Sequence, residues 1–337
     1  MIADILNTLA ARQELSDAQL RGILIEMMAG RCEETDAAAF LVGLRVKGET
    51  AREIACAARV LREHMLRWNP DRADVLDTCG TGGDGSGTFN ISTATALVVA
   101  AAGVPVVKHG NRSVSSRSGS ADVLAALGIK IDGDAEFARH TLRETNFAFC
   151  FAPLFHPAMK HVAAVRRKLG VPTIFNCLGP LANPANAQRQ LLGVGRVDLL
   201  DRMANALAQL GTKHAVVLCS RDGLDEVSLS APTLVREVRG SEVVALEWTA
   251  DDFDLAPCTL AELSAPHADA SAGIITEVLE GASGAAQRIV LANAAAAILA
   301  ADRVTNLRDG VALARAAIAA GAGARVLATL RSNSLAH

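Results

Sequence analysis

Tyrosine is absent from this chain of 337 residues, and aromatic residues of all kinds make up only 3% of it. So few π-faces leave little with which to stack successive bases of a single-stranded nucleic acid. A surplus of positive charge is also missing. The formal net charge of −3 argues against general binding to nucleic acid or to an acidic membrane. The seven cysteines are odd in number and form no Cys-x-x-Cys pair. Neither a disulfide framework nor a zinc site is expected, and a reducing compartment fits best. Met1-Ile2-Ala3-Asp4 lacks the basic segment and apolar run of a signal peptide. The longest apolar stretch, Ala94 to Val107, is broken by Gly103 and Pro105 and is too short to span a bilayer. The expected location is the cytoplasm, with neither nucleic acid nor membrane as partner.

Apolar residues make up 50% of the chain, enough for a core without covalent staples. The length suits one large domain or two moderate ones. Residues 1–65 read as helices. Ser16 with Gln19, and Thr50 with Glu53, have capping-box spacing ahead of helically spaced apolar residues. Between them Thr35 or Asp36 starts a helix that Gly48 closes. The character changes after Asn69-Pro70. Val75 to Cys79 is a strand candidate, followed by a glycine-rich loop, an Ala-rich helix from about Thr93 to Ala102, and a strand over Val104 to Val107. This β–loop–α–β order signals a parallel sheet. Further strands are expected at Phe147–Phe151 and Ala215–Cys219, with shorter ones at Val227–Leu229, Leu234–Val238 and Val243–Trp248. Helices are expected over Pro157–Leu169, Leu199–Leu210, Gln287–Ala300 and Gly310–Ala320. The predicted class is α/β: a helical domain over residues 1–69, joined by a helical segment near 157–180, and an α/β domain over 70–337 with a central, mostly parallel sheet flanked by helices.

Residues 80–88 read Gly-Thr-Gly-Gly-Asp-Gly-Ser-Gly-Thr. Such a run lets backbone N–H groups approach a phosphate, and a helix start behind it adds a positive dipole end. It also fits a plain surface turn. Gly80-x-Gly82-x-x-Gly85 formally matches the dinucleotide fingerprint, but that motif needs its helix to open within the glycines and an acid about 20 residues on. Here Asn90 to Thr93 precede the expected helix, and the next strand ends in Lys108-His109. No Gly-Lys-Ser/Thr closes a Walker A loop. Asn90, Ser92 and Thr93 sit where a helix cap belongs, and the same groups suit a phosphate or its metal.

Lys108 to Asp122 carries four basic-capable side chains and five serines directly after a buried-looking strand. In a parallel sheet, ligands bind beyond the carboxyl ends of strands, so this segment suits a polyanion such as diphosphate. Asp225-Glu226 reads either as surface turn or as a magnesium site, since magnesium favours one or two carboxylates plus phosphate oxygens and water. Arg166 and Arg167 end a helix that begins near His156-Pro157. They serve its dipole, or one clamps a substrate carboxylate.

Asp77 to Asp84, Asn90 to Thr93, Lys108 to Arg112, Ser115-Ser116 and Gly119 to Asp122 together resemble the signature of the anthranilate phosphoribosyltransferases of tryptophan biosynthesis. The resemblance continues through His156 to Lys160, Arg166 and Asn176 to Pro184, and includes Ala39 to Leu41 and Lys47 to Thr50. It implies phosphoribosyl pyrophosphate (PRPP) as donor, anthranilate as acceptor, magnesium as two ions with the donor, and a homodimer paired through the helical domain. It implies donor binding by Gly80, Gly83, Asp84, Thr88, Asn90, Ile91, Ser92, Thr93, Lys108, His109, Gly110, Asn111, Arg112, Ser113, Val114, Ser115, Ser116 and Ser120. It places Gly80, His109, Asn111, His156, Arg166 and Gly179 about the acceptor, and Ser92, Asp225 and Glu226 about the metal. Lys108 and Arg166 carry the catalytic expectation, through charge stabilisation and positioning. Two departures stand out: Ala125 where the family commonly has glutamate, and no tyrosine for the acceptor channel. A pyrimidine nucleoside phosphorylase, which shares the architecture, and a relative that instead binds nucleic acid are the alternative readings.

Overall fold

The computed structural model describes residues 2–112 and 118–336. Four helices come first: α1 (Ile2–Ala10), α2 (Asp17–Met28), α3 (Glu34–Lys47) and α4 (Ala51–Glu63). Two begin as their capping boxes predict. The Ser16 hydroxyl accepts the Gln19 N–H at 3.2 Å while Gln19 Oε1 accepts the Ser16 N–H at 3.0 Å. Thr50 and Glu53 repeat the exchange at 3.3 and 3.0 Å. Each cap contributes about 1 kcal/mol by satisfying donors that the first turn leaves unpaired. Helix α3 starts at Glu34, slightly earlier than expected, because Glu33 occupies the cap position without a side-chain bond.

Seven strands form one sheet: β1 (Leu76–Asp77), β2 (Val106–Gly110), β3 (Phe147–Phe151), β4 (Arg189–Gly193), β5 (His214–Ser220), β6 (Thr233–Arg239) and β7 (Glu242–Trp248). Their order is β3-β2-β1-β4-β5-β6-β7. Strands β1 to β5 pair in parallel, while β6 and β7 are antiparallel. The chain winds outward from β1 to β3, then returns to the other side of β1 for β4. The switch point therefore lies between β1 and β4, where open α/β sheets form their ligand crevice.

Helix α5 (Ile91–Ala101) crosses from β1 to β2, and α6 (Ser120–Ala126) and α7 (Ala135–Thr145) lead to β3. After β3 come α8 (Ala152–Phe155), a 3₁₀ turn at Pro157–Met159, α9 (Lys160–Leu169) and α10 (Ile174–Leu178). Helix α11 (Val197–Gln209) joins β4 to β5, and α12 (Ala268–Leu279), α13 (Ala285–Ala300), α14 (Leu307–Ala319) and α15 (Ala322–Ala336) complete the chain.

Alternation along β5 shows how the sheet divides the core. Ala215, Val217 and Cys219 join the apolar cluster of α1–α4, α9, α10 and α11, while Val216 and Leu218 join that of α5, α6 and α12–α15. Successive side chains of a strand point to opposite faces, and each fully buried Val or Leu contributes roughly 1.5–3 kcal/mol.

Four expectations need correction. Val227–Leu229 is not a strand: Val227 donates its N–H to Asn293 Oδ1 at 2.8 Å and accepts from Asn293 Nδ2 at 3.0 Å, so a side chain takes the place of a neighbouring strand. Strand β4 was not expected, because Arg189 and Gln190 at its start and Gly193 at its end mask a short apolar core. Strand β2 starts at Val106 and runs on through Gly110, later at both ends than the expected Val104 to Val107. Helix α5 begins at Ile91, so Ile91 to Thr93 form its first turn and do not precede it.

Candidate active site

Four carboxyl ends of strands supply one cavity of about 1080 Å³. The glycine loop follows β1, Lys108 to Gly110 end β2, Gly195 follows β4, and Asp225-Glu226 follow β5. Further wall comes from residues 45–49, the start of α6, His156, the start and face of α9, the 172–180 segment and the start of α11.

The glycine loop is held at both ends. Thr81 donates its N–H to the Gly193 carbonyl at 2.9 Å, and Phe89 donates to the Leu263 carbonyl at 2.8 Å. Asn90 N–H then donates to Ser271 Oγ at 2.8 Å, and Asn90 Oδ1 caps α5 by accepting the Thr93 N–H at 3.1 Å. Between these anchors Gly83 takes φ +85° with nothing near its missing Cβ. Conformation, not crowding, demands glycine there. The first turn of α5 thus opens onto the cavity with its positive dipole end.

Lys108 is 2% exposed. Its ammonium donates to the Thr78 carbonyl at 2.9 Å, Thr78 Oγ1 at 3.3 Å and Ser92 Oγ at 3.1 Å. All three hydrogen-bond partners are neutral oxygens, which suits the ammonium to an anion at the cavity floor. Asp77 lies behind it. Its Oδ1 accepts the His109 N–H at 3.2 Å and its Oδ2 accepts from Asn183 Nδ2 at 2.7 Å. Burial raises Asp77 to about 6, against the pull of Asn183 and Lys108.

His109 Nδ1 lies 3.0 Å from the Gly179 carbonyl. A carbonyl only accepts, so Nδ1 carries the hydrogen and Nε2 is left without a protein partner. Burial, then neighbouring His156 and Lys108, lowers His109 to about 3. Burial lowers His156 to about 4; the Ala182 carbonyl leans toward its ring without forming a regular hydrogen bond. Both imidazoles are therefore neutral near pH 7.

Asp84, Asp225 and Glu226 gather opposite Lys108. Burial first, then Asp84, raises Asp225, and burial first, then Asp225, raises Glu226 well above the usual range. Clustered acids of this kind fit a divalent cation. Among the described residues no three His, Cys, Asp or Glu side chains form a ready-made metal cage. Magnesium takes one or two carboxylates and completes its shell with phosphate and water.

Arg166, in the last turn of α9, faces the same cavity. Its guanidinium carbon lies 5.5 Å from the centre of the Phe175 ring. Burial lowers its pKa, since desolvation penalises the cation. A half-buried guanidinium over an aromatic wall is suited to a planar carboxylate.

Of the residues singled out in the sequence, Gly80, Gly83, Asp84, Thr88, Asn90, Ile91, Ser92, Lys108, His109, Gly110, Asn111, Arg112, Ser120, His156, Arg166, Gly179, Asp225 and Glu226 all line this cavity. Thr93 does not. It is 0% exposed, and its hydroxyl is buried on the core side of α5. Ser113, Val114, Ser115 and Ser116 lie outside the described residues. Cavity residues that the sequence reading passed over include Cys79, Thr173 and Gly195. Gly193-Val194-Gly195 at a strand end was a signal of close backbone approach.

Comparison with known proteins agrees with this geometry. Residues 3–65 match the glycosyl transferase family, helical bundle domain, and residues 72–324 match the glycosyl transferase family, a/b domain. The anthranilate phosphoribosyltransferase of Symbiobacterium thermophilum is 48% identical over 327 residues, covering 97% of this chain and 96% of that one. The crystal structure of the anthranilate phosphoribosyltransferase from Thermus thermophilus superposes with a TM-score of 0.91 at 38% identity, covering 98% and 99% of the two chains. That of Saccharomyces cerevisiae in complex with PRPP and Mg gives 0.90 at 28% identity, covering 100% and 98%. With both domains matched and near-complete coverage, the chain belongs to this glycosyl transferase family and, within it, to the anthranilate phosphoribosyltransferases.

Proposed function

We infer that this protein transfers the phosphoribosyl group of PRPP to anthranilate, giving N-(5-phosphoribosyl)anthranilate and diphosphate in tryptophan biosynthesis. One observation carries the reading beyond family membership: a buried lysine with neutral hydrogen-bond partners and a half-buried arginine over Phe175 face one cavity. The first suits a diphosphate and the second a carboxylate. The anthranilate nitrogen attacks the anomeric carbon, the bond from that carbon to the diphosphate oxygen breaks, and the amine gives up one proton. An aromatic amine is neutral at pH 7, so no covalent nucleophile on the protein is needed.

Donor binding falls to Gly80, Gly83, Asp84, Thr88, Asn90 to Ser92, Lys108 to Arg112 and Ser120. Lys108 stabilises the departing diphosphate, helped by glycine-loop N–H groups and the α5 dipole. Arg166 holds the acceptor carboxylate, with His109, Asn111, His156 and Gly179 around the ring. Neutral imidazoles there leave the amine free of competing positive charge. Ser92, Asp225 and Glu226 would hold magnesium, as two ions with the donor. The metal, when bound, neutralises diphosphate charge.

The helical unit of residues 1–69, with the segment near 157–180, forms a domain against the α/β domain of 70–337. A second copy pairs through the helical domain to give a homodimer. The cytoplasm suits seven unpaired thiols. Among the described residues, no single helix is long and apolar enough to cross a membrane.

Anthranilate fluorescence tests the reaction directly. Loss of signal requiring both PRPP and magnesium is expected. No loss, with PRPP binding intact by calorimetry, would mean a different acceptor.

A further inference from the structure

The glycine loop and the acidic turn come from different parts of the chain, and both rest on the carboxyl end of β4. At Gly193 a Cβ would sit 1.6 Å from the Asp225 carbonyl oxygen, so strand and turn touch backbone to backbone. The Gly193 carbonyl meanwhile accepts the Thr81 N–H at 2.9 Å. At Gly195 a Cβ would lie 3.0 Å from the Gly82 carbonyl oxygen and 3.1 Å from the Asp84 nitrogen. Gly195 N–H donates to Thr81 Oγ1 at 3.2 Å. Neither glycine is among those with positive φ. Space alone requires them.

Where side chains would stand, the glycines in the middle of the loop face open space. A Cβ at Gly82, Gly83 or Gly85 would meet nothing within 4 Å. Glycine-rich backbone loses the most conformational freedom on ordering, so a loop held in advance binds its ligand at lower cost. Thr81 is the link, bonded to β4 through both its N–H and its hydroxyl.

We propose that Gly193, Gly195 and Thr81 are positioning residues that fix the donor-binding loop against the Asp225-Glu226 turn. Diphosphate and its metal are then met at a preset separation. The proposal rests on the PRPP reading above and adds the device that holds the donor site in shape.

Gly193→Ala collides too severely to be informative, so Gly195→Ala and Thr81→Val carry the test, with Thr81→Ser as the conservative variant. In Gly195→Ala the loop must shift by a few tenths of an ångström. Its PRPP affinity, by calorimetry with magnesium, should fall about tenfold or more. Donor KM should rise while anthranilate KM at saturating PRPP holds. Thr81→Val should weaken PRPP in the same direction, and Thr81→Ser should restore it. If folded Gly195→Ala and Thr81→Val bind PRPP within about twofold of wild type, the proposal fails. It fails equally if both substrates weaken together in step with lost thermal stability. If wild type itself binds no PRPP, the donor reading and this inference fall together; if wild type binds it and the variants do too, only the inference falls.

Discussion

The imidazole of His109 lies 4.9 Å from that of His156, centroid to centroid, with the planes tilted by 46°. Burial depresses both below the ordinary histidine value, to about 3 and about 4. The unfolded chain, with histidines near 6.5, binds more protons than the folded one between pH 6.5 and those values. Stability should therefore fall as pH drops through that window, by about 3 kcal/mol for His156 alone. Histidine NMR should show neither ring titrating above pH 5. Asp77, raised to about 6, works in the opposite sense, losing stability as pH rises from 3.8 through 6. A His156→Gln variant isolates the histidine part: its stability should vary less steeply with acid than wild type. A midpoint above 6 for either ring would mean that water reaches the pair.

Much of this site was legible because its residues lie in short contiguous runs. The glycine loop and Lys108 to Arg112 each sit within one stretch, and glycine, lysine and serine at a strand end already suggest an anion. The caps Ser16 and Thr50 were legible for the same local reason. Juxtapositions across the sheet were not. Asp77 and Asn183 are far apart in sequence yet share a hydrogen bond of 2.7 Å. Gly193 owes its identity to a turn that arrives one strand later. Strand β4 escaped notice since only five residues form it, polar at one end and glycine at the other. Thr93 misled because a cap segment repeats polar residues, and only helical phase decides which of them turns inward.

Asp225 and Glu226 share low-dielectric space with Asp84: beyond burial, Asp84 raises the proton affinity of Asp225, and Asp225 and Asp84 raise that of Glu226. Removing one charge relieves that repulsion while removing a metal ligand. Glu226→Gln should therefore be more stable than wild type without metal, by roughly 1 kcal/mol or more. Its turnover should fall sharply and need more magnesium. Calorimetric melting and a magnesium titration of the rate check the two halves. Unchanged turnover across magnesium concentrations would remove Glu226 from the metal site.

Asp77 accepts two hydrogen bonds in the interior, and Asn183 also donates to the Val107 carbonyl at 2.8 Å. The three residues tie β1 and β2 to the segment after α10. In Asp77→Asn, one amide hydrogen pair must face a donor, either the His109 N–H or Asn183 Nδ2. A buried donor left unsatisfied costs about 1–3 kcal/mol. Urea unfolding should show a lower midpoint with an unchanged slope. Unaltered stability would indicate that Asn183 flips its amide to compensate.

Arg166 is the sharpest test of how the two substrates divide the cavity. It projects from the last turn of α9 over Phe175, while Lys108 sits on the sheet. If Arg166 holds the acceptor carboxylate, Arg166→Ala loses a charge-assisted hydrogen-bonded pair, about 1.5–3 kcal/mol. Anthranilate KM should then rise about ten- to a hundredfold, with donor KM little changed. Arg166→Lys keeps the charge but not the planar fork, so it should recover part of the loss and no more. Steady-state kinetics with each substrate varied in turn decides the matter. Equal weakening of PRPP and anthranilate would place Arg166 at the boundary between the two subsites and leave the carboxylate to another cation of the cavity, with Arg202, Arg196 and Lys160 the next to substitute.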